Sequence, residues 1–314
     1  MSPIPLGILA SAGAGALPAT SVEYLVIAGG AGGAGASGFS STGGGGAGGY
    51  RSSVSGQLSG GSPGTAETPL AVAAGTNYTV TIGAGAPGNA ATTYSRGPNG
   101  SNTTFATITS LGGGAAGSNN SSFQEAGSSG GSGGGGGGAA ANQTINGGAG
   151  TSGQGFRGGN FQNTSTTNRN MATGGGGAGG TGGDIAVNFS VAGTQGGDGR
   201  SSNITGVSIF RAGGGGGATV QGAGTGGNGG GGNGAYQNSA QSGQANTGSG
   251  GGGSTPGGVN GLFAGSGGSG VVIIRYPNTF RDLTSIGNGL SFSMQNSGGF
   301  KIYSFTAGTG NIQF

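Results

Sequence analysis

The side chains that could do chemistry in this 314-residue chain are few. It contains no Cys and no His, which removes disulfides, thiolate and imidazole metal ligands, and catalytic triads that use His as base. Two carboxylates would suffice for a glycosidase, but the spacing of the six acids shows no such pair. We therefore expect isolated carboxylates, no catalytic residues, no metal site, no cofactor and no enzymatic activity. The acids are Glu23, Glu67, Glu125, Asp184, Asp198 and Asp282.

The basic residues are equally sparse. The formal net charge is +3, and the nine Lys and Arg residues are spread along the whole chain. Arg157-Gly158-Gly159 is a single RGG triplet without aromatic or basic neighbours, whereas nucleic-acid binding needs a basic patch. We expect no nucleic-acid partner.

A nucleotide-binding loop is the remaining chemical alternative. Residues 24–33 read YLVIAGGAGG, a plausible strand followed by glycines near dinucleotide-fold positions. The amphipathic helix that should follow is missing, because glycines continue to residue 49. We therefore expect no bound nucleotide.

Glycine dominates the elements that must position any site. The chain has 91 glycines, concentrated in tracts such as 29–35 (GGAGGAG), 43–49 (GGGGAGG) and 174–183 (GGGGAGGTGG). Glycine loses much backbone entropy on ordering, so these tracts are either flexible linkers or a packed form of the polyproline-II helix, in which bare backbones approach closely. Strand-like runs recur between them, which favours packing. Nine prolines and no strict three-residue phase argue against collagen.

Together with the glycine tracts, the strand-like runs predict one glycine-rich polyglycine-II/β domain over residues 21–277. Residues 22–28 (VEYLVIA) and 271–276 (VVIIRY) read as buried neighbours, and 78–82 (YTVTI) alternates like a half-buried strand. Residues 105–111 and 207–210 run directly into glycine. The predicted fold class is mainly β and irregular: short β-strands forming a base, a packed bundle of polyglycine-II helices, and essentially no α-helix.

The two ends of the chain differ from its middle. Residues 1–20 are apolar and contain Pro3, Pro5 and Pro18, so we expect this segment to dock on a partner rather than to act as a signal peptide. We expect no apolar run long enough to span a membrane. Residues 278–314 predict a small C-terminal β-hairpin unit whose uncharged edge pairs within an oligomer. Its candidate oligomer contacts are Phe300, Tyr303, Phe305 and Phe314.

Two long polar segments, 160–173 and 235–247, are expected to be loops. Amide and hydroxyl groups with an occasional aromatic suit contact with a saccharide or a protein loop; the alternative is that both are solvated turns. The candidate contact residues are Asn160, Phe161, Gln162, Asn163, Arg169, Asn170, Tyr236, Gln237 and Asn238.

Seven segments follow one another along the chain: VEYLVIAGG, GGGGAGGYR, GTNYTVTIGAGAPG, SNTTFATITSLGGGAAG, GRSSNITGVSIFRAGGGGG, GGSGVVIIRYP and GGFKIYSFTAGTGNIQF. This ordered set resembles the glycine-rich tail proteins of bacteriophages. The resemblance covers residues 20–314, and the start of the chain resembles phage structural proteins, which implies a virion anchor in residues 1–20.

The resemblance implies a virion protein, most often a tail fibre or tip adhesin with polyglycine-II sandwiches and receptor-binding loops. Other virion proteins, a host-surface glycan or outer-membrane protein, and further copies of the chain, in a trimer for example, are the expected partners. The alternatives are a capsid decoration or other non-adhesive virion component, and an ice-binding or fibre-forming protein outside viruses.

Overall fold

A computed structural model describes residues 16–90, 95–119, 125–139, 143–163, 169–187 and 192–314. Residues 1–15, most of the expected docking segment, lie outside these ranges. The described residues form strands and irregular segments and contain no α-helix, which confirms the predicted class. The strands are β1 (Ser21–Ile27), β2 (Tyr50–Ser52), β3 (Leu70–Ala71), β4 (Tyr78–Thr81), β5 (Thr103–Phe105), β6 (Ile108–Ser110), β7 (Gly137–Ala139), β8 (Thr144–Ile145), β9 (Phe161–Asn163), β10 (Arg169–Ala172), β11 (Ile185–Val187), β12 (Arg200–Ser202), β13 (Ile209–Arg211), β14 (Ala218–Thr219), β15 (Gly222–Ala223), β16 (Ala235–Tyr236), β17 (Ser254–Thr255), β18 (Val271–Pro277), β19 (Ser285–Ile286), β20 (Leu290–Ser297) and β21 (Phe300–Gln313).

The largest sheet joins distant parts of the chain in the order β2-β1-β18-β21-β4-β5-β6. Strands β1 and β18 pair antiparallel with Leu25 opposite Ile273, so the prediction that these two apolar runs are neighbours is confirmed. β1 also lies beside β5 and β6, and the Ser110 hydroxyl donates to Val26 O at 2.7 Å. The sheet therefore curls back on itself.

This curled sheet has two apolar faces, because side chains alternate along each strand. The inner face packs Tyr24, Val80, Phe105, Ile274 and Phe305 into one core. The outer face carries side chains that pack against a second group of buried residues outside the sheet. That outer core is Leu25, Ile27, Val271, Ile273, Ile302, Ala47, Tyr50, Val54, Ala178, Ile204 and Ala212.

Glycine segments extend from the strands of this sheet. β1 leads into residues 28–35, β6 leads into 111–117, and segment 43–49 leads into β2. The predicted alternation of strand and glycine segment is confirmed. The other ends of the segments lie away from the sheet, as shown by the bridges from Thr42 to Ser118 and Ala218.

Segment 43–49 shows how the glycine segments are held together. Its N–H groups donate in turn to three neighbours, segments 111–117, 173–176 and 248–251, and every third residue returns to the same neighbour at 2.8–3.1 Å. A three-residue repeat is that of the polyproline-II helix, which leaves its backbone groups free for such neighbours. We call the packed glycine segments the glycine slab.

The carbonyl groups of the same segment bond a second set of neighbours. Residues 28–31, Ser132, Gly135 and Gly215 donate N–H groups to it at 2.9–3.1 Å. Segment 43–49 therefore contacts six other segments, and all seven of its N–H groups and five of its carbonyl groups are hydrogen-bonded although it lies in no sheet. This pairing replaces the ladder that satisfies buried backbone groups in ordinary β-structure.

Close approach, rather than backbone conformation, explains the glycines here. None of the glycines in residues 29–35, 43–49 and 213–217 has a positive φ. A Cβ added to Gly44 would overlap the backbone of Gly215 and Gly216. Glycine is therefore the interior residue of the slab.

The C-terminal hairpin forms as expected, with β20 paired to β21. β21 is 14 residues long, however, and its first half lies between β18 and β20 while its second half lies between β4 and β19. It is thus a central strand of the curled sheet. The expected boundary at residue 277 cuts through this sheet instead of separating a small unit.

Candidate functional site

Turns lie together at the slab's far end, where Thr42 bridges Ala218 and Gly257 approaches Tyr236. We call residues 37–41, 219–223, 237–239 and 256–262 the loop end. The curled sheet lies at the opposite end, where Ala28 donates to Gly49 O and Gly49 donates to Leu111 O. A row of short strands underlies the loop end, since β10 lies beside β7 and β14, and β14 lies beside β16 and β17. The described part of segment 160–173 and the start of segment 235–247 are therefore brought to this end, whereas Thr247 lies at the sheet end, where its carbonyl accepts from Ala212 N–H at 2.8 Å.

The first predicted contact segment is more ordered than expected. Residues 161–163 form β9, which pairs parallel with β11 and antiparallel with β8. Phe161 is fully buried against Met171 and Ile185, and Asn163 is also buried. Their position in a small core corrects the expectation of a loop: these two side chains face the interior, because the strand alternates and only Gln162 points outward.

Asn160 is tied to the slab by hydrogen bonds. Its N–H donates to Asp184 Oδ1 at 2.8 Å, and its side-chain carbonyl accepts from Gly147 N–H at 3.0 Å. Arg157 donates to both oxygens of Asp184, at 2.7 and 2.8 Å. These hydrogen bonds from Arg157, assisted by the Asn160 N–H, lower the pKa of the Asp184 carboxyl against the opposing effect of burial. Asn160 and Asp184 are thus a local support of the loop end.

The return strand of this segment is β10, which holds both remaining predicted residues, Arg169 and Asn170; Arg169 lies opposite Ala139. It ends beside Thr173, whose buried hydroxyl donates to Gly159 O at 2.6 Å and accepts from Gly136 N–H at 2.8 Å. Residues 164–168 lie outside the described residues. Sequence analysis missed the supporting role of Thr173, which is one of many threonines without a distinguishing pattern.

The second predicted contact segment is exposed. Tyr236 is half-buried in β16, and Gln237 and Asn238 are exposed. Gln237 has a φ of 57° and donates its N–H to Thr255 O at 2.9 Å, while the Asn238 amide donates to Tyr236 O at 3.3 Å. An αL residue that keeps its side chain outward is typical of a turn that presents polar groups.

Apolar side chains flank these amides. Gly257 permits residues 256–262 to approach Tyr236, because a Cβ there would meet the Tyr236 ring and the Gln237 side chain. The neighbouring Phe39 ring lies beside Gly258 and is 60% exposed, and Val259 and Phe263 are exposed as well. The loop end therefore combines amide donors and acceptors with apolar contact area, the composition of a recognition surface.

The carboxylate best placed for acid–base chemistry is used for structure instead. Glu67 accepts hydrogen bonds from Arg51 at 2.7 and 3.0 Å, from the Tyr24 hydroxyl at 2.7 Å and from the Ser59 hydroxyl at 2.7 Å. Burial raises the pKa of the Glu67 carboxyl, but the hydrogen bonds from Arg51, Tyr24 and Ser59 outweigh it and leave the pKa lowered. An ionised, fully bonded carboxylate has no free position for a reacting group.

Other classes of site are missing from the described part of the chain. The residues with defined positions enclose no cavity that would hold a small molecule, and no three of their carboxylates are grouped to hold a metal ion. Across the same residues there is no helix of the length and apolarity that a bilayer crossing requires.

The predicted oligomer contacts are in the interior of the chain. Tyr303, Phe305 and Phe314 are buried in the inner core, and Phe300 is half-buried with the Arg275 guanidinium 4.5 Å from its ring centre. This placement corrects the expectation, and the physical reason is the central position of β21. The exposed apolar residues of the hairpin are instead Phe292 and Met294 on β20, which are 46% and 38% exposed.

Comparison with known proteins agrees with the glycine-dominated architecture. The model of the glycine-rich domain family matches residues 12–277, which covers most of the chain and all of the glycine slab. No curated protein matches the sequence closely enough to count as a relative. With its slab and the greater part of its curled sheet inside the matched region, the chain belongs to the glycine-rich domain family.

Proposed function

We propose that this chain is a bacteriophage virion protein of the polyglycine-II type, acting in the tail as a fibre or tip adhesin. In this proposal the curled sheet faces other virion proteins, and the loop end contacts a glycan or outer-membrane protein on the host surface. The role is one of binding, without enzymatic turnover. Its main support is that the slab separates an apolar sheet at one end from exposed polar turns at the other.

The slab suits the presentation of loops. Seven residues in polyproline-II geometry span about 20 Å, and segment 43–49 is bonded through its backbone to six neighbours. Because the slab is held by main-chain groups, turn residues at the loop end can be exchanged without changing the interior. A recognition surface on a rigid support is a common arrangement for binding loops.

The proposal is tested on phage particles altered at the loop end and on the outward face of β9. The triple substitution Gln162→Ala, Gln237→Ala and Asn238→Ala removes three exposed amides and leaves Phe161, Asn163 and Thr173 intact. We expect particles to assemble normally and to adsorb to host cells at least about tenfold more slowly. Asn296→Ala, an exposed amide on the sheet side, is the matched control and should leave adsorption unchanged. Normal adsorption by the triple variant would contradict the proposal.

A non-adhesive virion component is the second candidate, favoured by the uncharged exposed strand β20, because such an edge can join subunits. Electron microscopy of particles with a label fused after Phe314 separates the two. Density at the tail tip supports the adhesin, whereas regular density over the head supports a capsid decoration. Long filaments from purified protein would instead favour a fibre-forming role.

A further inference from the structure

Two arginines face each other on the hairpin that covers the outer face of the curled sheet. β12 and β13 pair antiparallel with Arg200 directly opposite Arg211. Opposite residues of an antiparallel pair lie on the same side of the ribbon at about 5 Å between Cβ atoms, and like charges at such positions repel. A natural hairpin with this pair needs something that compensates the two charges.

No carboxylate of the described residues forms an ion pair with either guanidinium. Arg211 is 8% exposed, and its Nη1 is a buried nitrogen with no hydrogen-bond partner in the described residues. Arg200 Nε is likewise buried without a hydrogen-bond partner in the described residues, although the Arg200 side chain as a whole is partly exposed. Buried polar groups are nearly always hydrogen-bonded, and a buried charge without a counter-charge is costly.

Four other described cations differ from this pair, whereas Arg281 also lacks an ion pair and has a buried Nε without a partner, although its Nη2 donates to Phe314 O at 3.1 Å. Arg51, Arg157, Arg275 and Lys301 each form an ion pair with a carboxylate at 2.6–2.8 Å. The acid nearest in sequence to Arg200 is Asp198, an exposed residue whose Oδ1 accepts the Asn228 N–H at 2.9 Å.

Among the described groups, the one that acts electrostatically on Arg211 is a phenol and not a carboxylate. Burial lowers the pKa of Arg211, and its one electrostatic partner is Tyr50. Burial raises the pKa of Tyr50 to about 12, so its phenol is neutral at physiological pH, and its hydroxyl donates to Ser201 O at 3.3 Å. The local charge is therefore that of the two guanidinium groups.

We propose that Arg200 and Arg211 together bind one tetrahedral oxyanion, a phosphate or a sulfate, either as the free ion or as a monoester on a larger ligand. Each guanidinium presents N–H groups in a planar fork that matches two oxygens of such an anion, and one bound dianion neutralises both charges. A single oxyanion needs no deep cavity, and it reaches the pair past the partly exposed Arg200. The site lies at the sheet side of the slab and is separate from the loop end.

The test is a binding titration of the full chain in chloride buffer at constant ionic strength. Inorganic phosphate and glucose 6-phosphate are added separately, and heat of binding and melting temperature are recorded. We expect saturable binding of one phosphate per chain and a higher melting temperature than in chloride alone. Equal binding of the sugar phosphate indicates that the site accepts a group carried on a ligand, whereas binding of inorganic phosphate alone indicates a free ion. Failure of both anions to bind overturns the proposal.

Three variants assign any binding to this pair. Arg200→Gln and Arg211→Met should each weaken phosphate binding about tenfold or more, while Arg96→Gln, an exposed arginine elsewhere, should bind like the unaltered chain. Without phosphate, Arg211→Met should melt no lower than the unaltered chain, because it removes an uncompensated buried charge. If Arg211→Met does not fold, the partly exposed Arg200→Gln carries the test. Unchanged phosphate affinity in Arg200→Gln would overturn the proposal.

Discussion

Replacing Gly175 with alanine places one methyl group inside the glycine slab. The new Cβ would lie 2.5 Å from the carbonyl carbon of Gly45, whereas ordinary contact begins at 3.4 Å. The obstacle is backbone, which cannot rotate away as a side chain can. Segments 43–49 and 173–176 must therefore separate by about 1 Å.

The energetic consequence follows from the hydrogen bonds between these two segments. Gly44 N–H donates to Thr173 O at 3.1 Å, and Ala47 N–H donates to Gly176 O at 3.0 Å. A separation of about 1 Å breaks both, and each buried group left unpaired costs about 1–3 kcal/mol. Alanine regains only about 0.4–1 kcal/mol by restricting the unfolded chain. We expect Gly175→Ala to lower the free energy of unfolding by about 3 kcal/mol.

Urea unfolding followed by far-ultraviolet circular dichroism measures this change. Gly180→Ala is the matched control, because Gly180 follows Gly175 in the same glycine tract, has no positive φ, and its added Cβ would meet only Asp198 N at 3.5 Å. That variant should be neutral or slightly stabilising. Free energies of unfolding within about 0.5 kcal/mol of each other for the two variants would refute close backbone packing as the reason for glycine.

Three further outcomes are expected. Glu67→Gln should lower the free energy of unfolding by about 2 kcal/mol at pH 7, because it weakens the pair with Arg51. The folded pKa of Glu67 is lowered, so the contribution of this carboxylate is present above the unfolded pKa of about 4.3 and is lost as the pH falls through the folded value. The urea midpoints of the variant and the unaltered chain should therefore converge in acid. Thr173→Val should lower the free energy of unfolding by about 1–3 kcal/mol because the Gly136 N–H loses its acceptor, whereas Thr173→Ser should retain most of it. Met294→Lys should convert any self-associated protein to monomer in light scattering by placing a charge on an uncharged edge; an unchanged mass would show that this edge is not used.

The features that sequence analysis predicted are those with a strong local pattern. Residues 22–28 and 271–276 are apolar, of strand length and bounded by glycine or proline, so their pairing across the chain was accessible. Glycine tracts directly after such runs could be recognised as packed segments for the same reason.

Other features depend on contacts that no local pattern encodes. Phe161 is surrounded in sequence by polar residues and looked like a loop aromatic, yet Met171 from the end of the same segment and Ile185 from a later strand enclose it. Tyr303 and Phe305 alternate with polar residues as an exposed hairpin would, but the curled sheet encloses them in its inner core. Arg200 and Arg211 can be recognised as opposite residues only when the register of their hairpin is known. The turn of this hairpin has none of the short-loop sequences from which a register can be predicted.

The three-residue repeat of hydrogen bonds in segment 43–49 also restricts how such a protein can change its length. Inserting one or two residues would rotate every later donor by a third or two thirds of a turn, towards the wrong neighbour. Inserting three adds a complete turn of about 9 Å and restores each donor to its original direction. Evolution and design can therefore lengthen a glycine segment only in whole turns, and the six surrounding segments must grow with it.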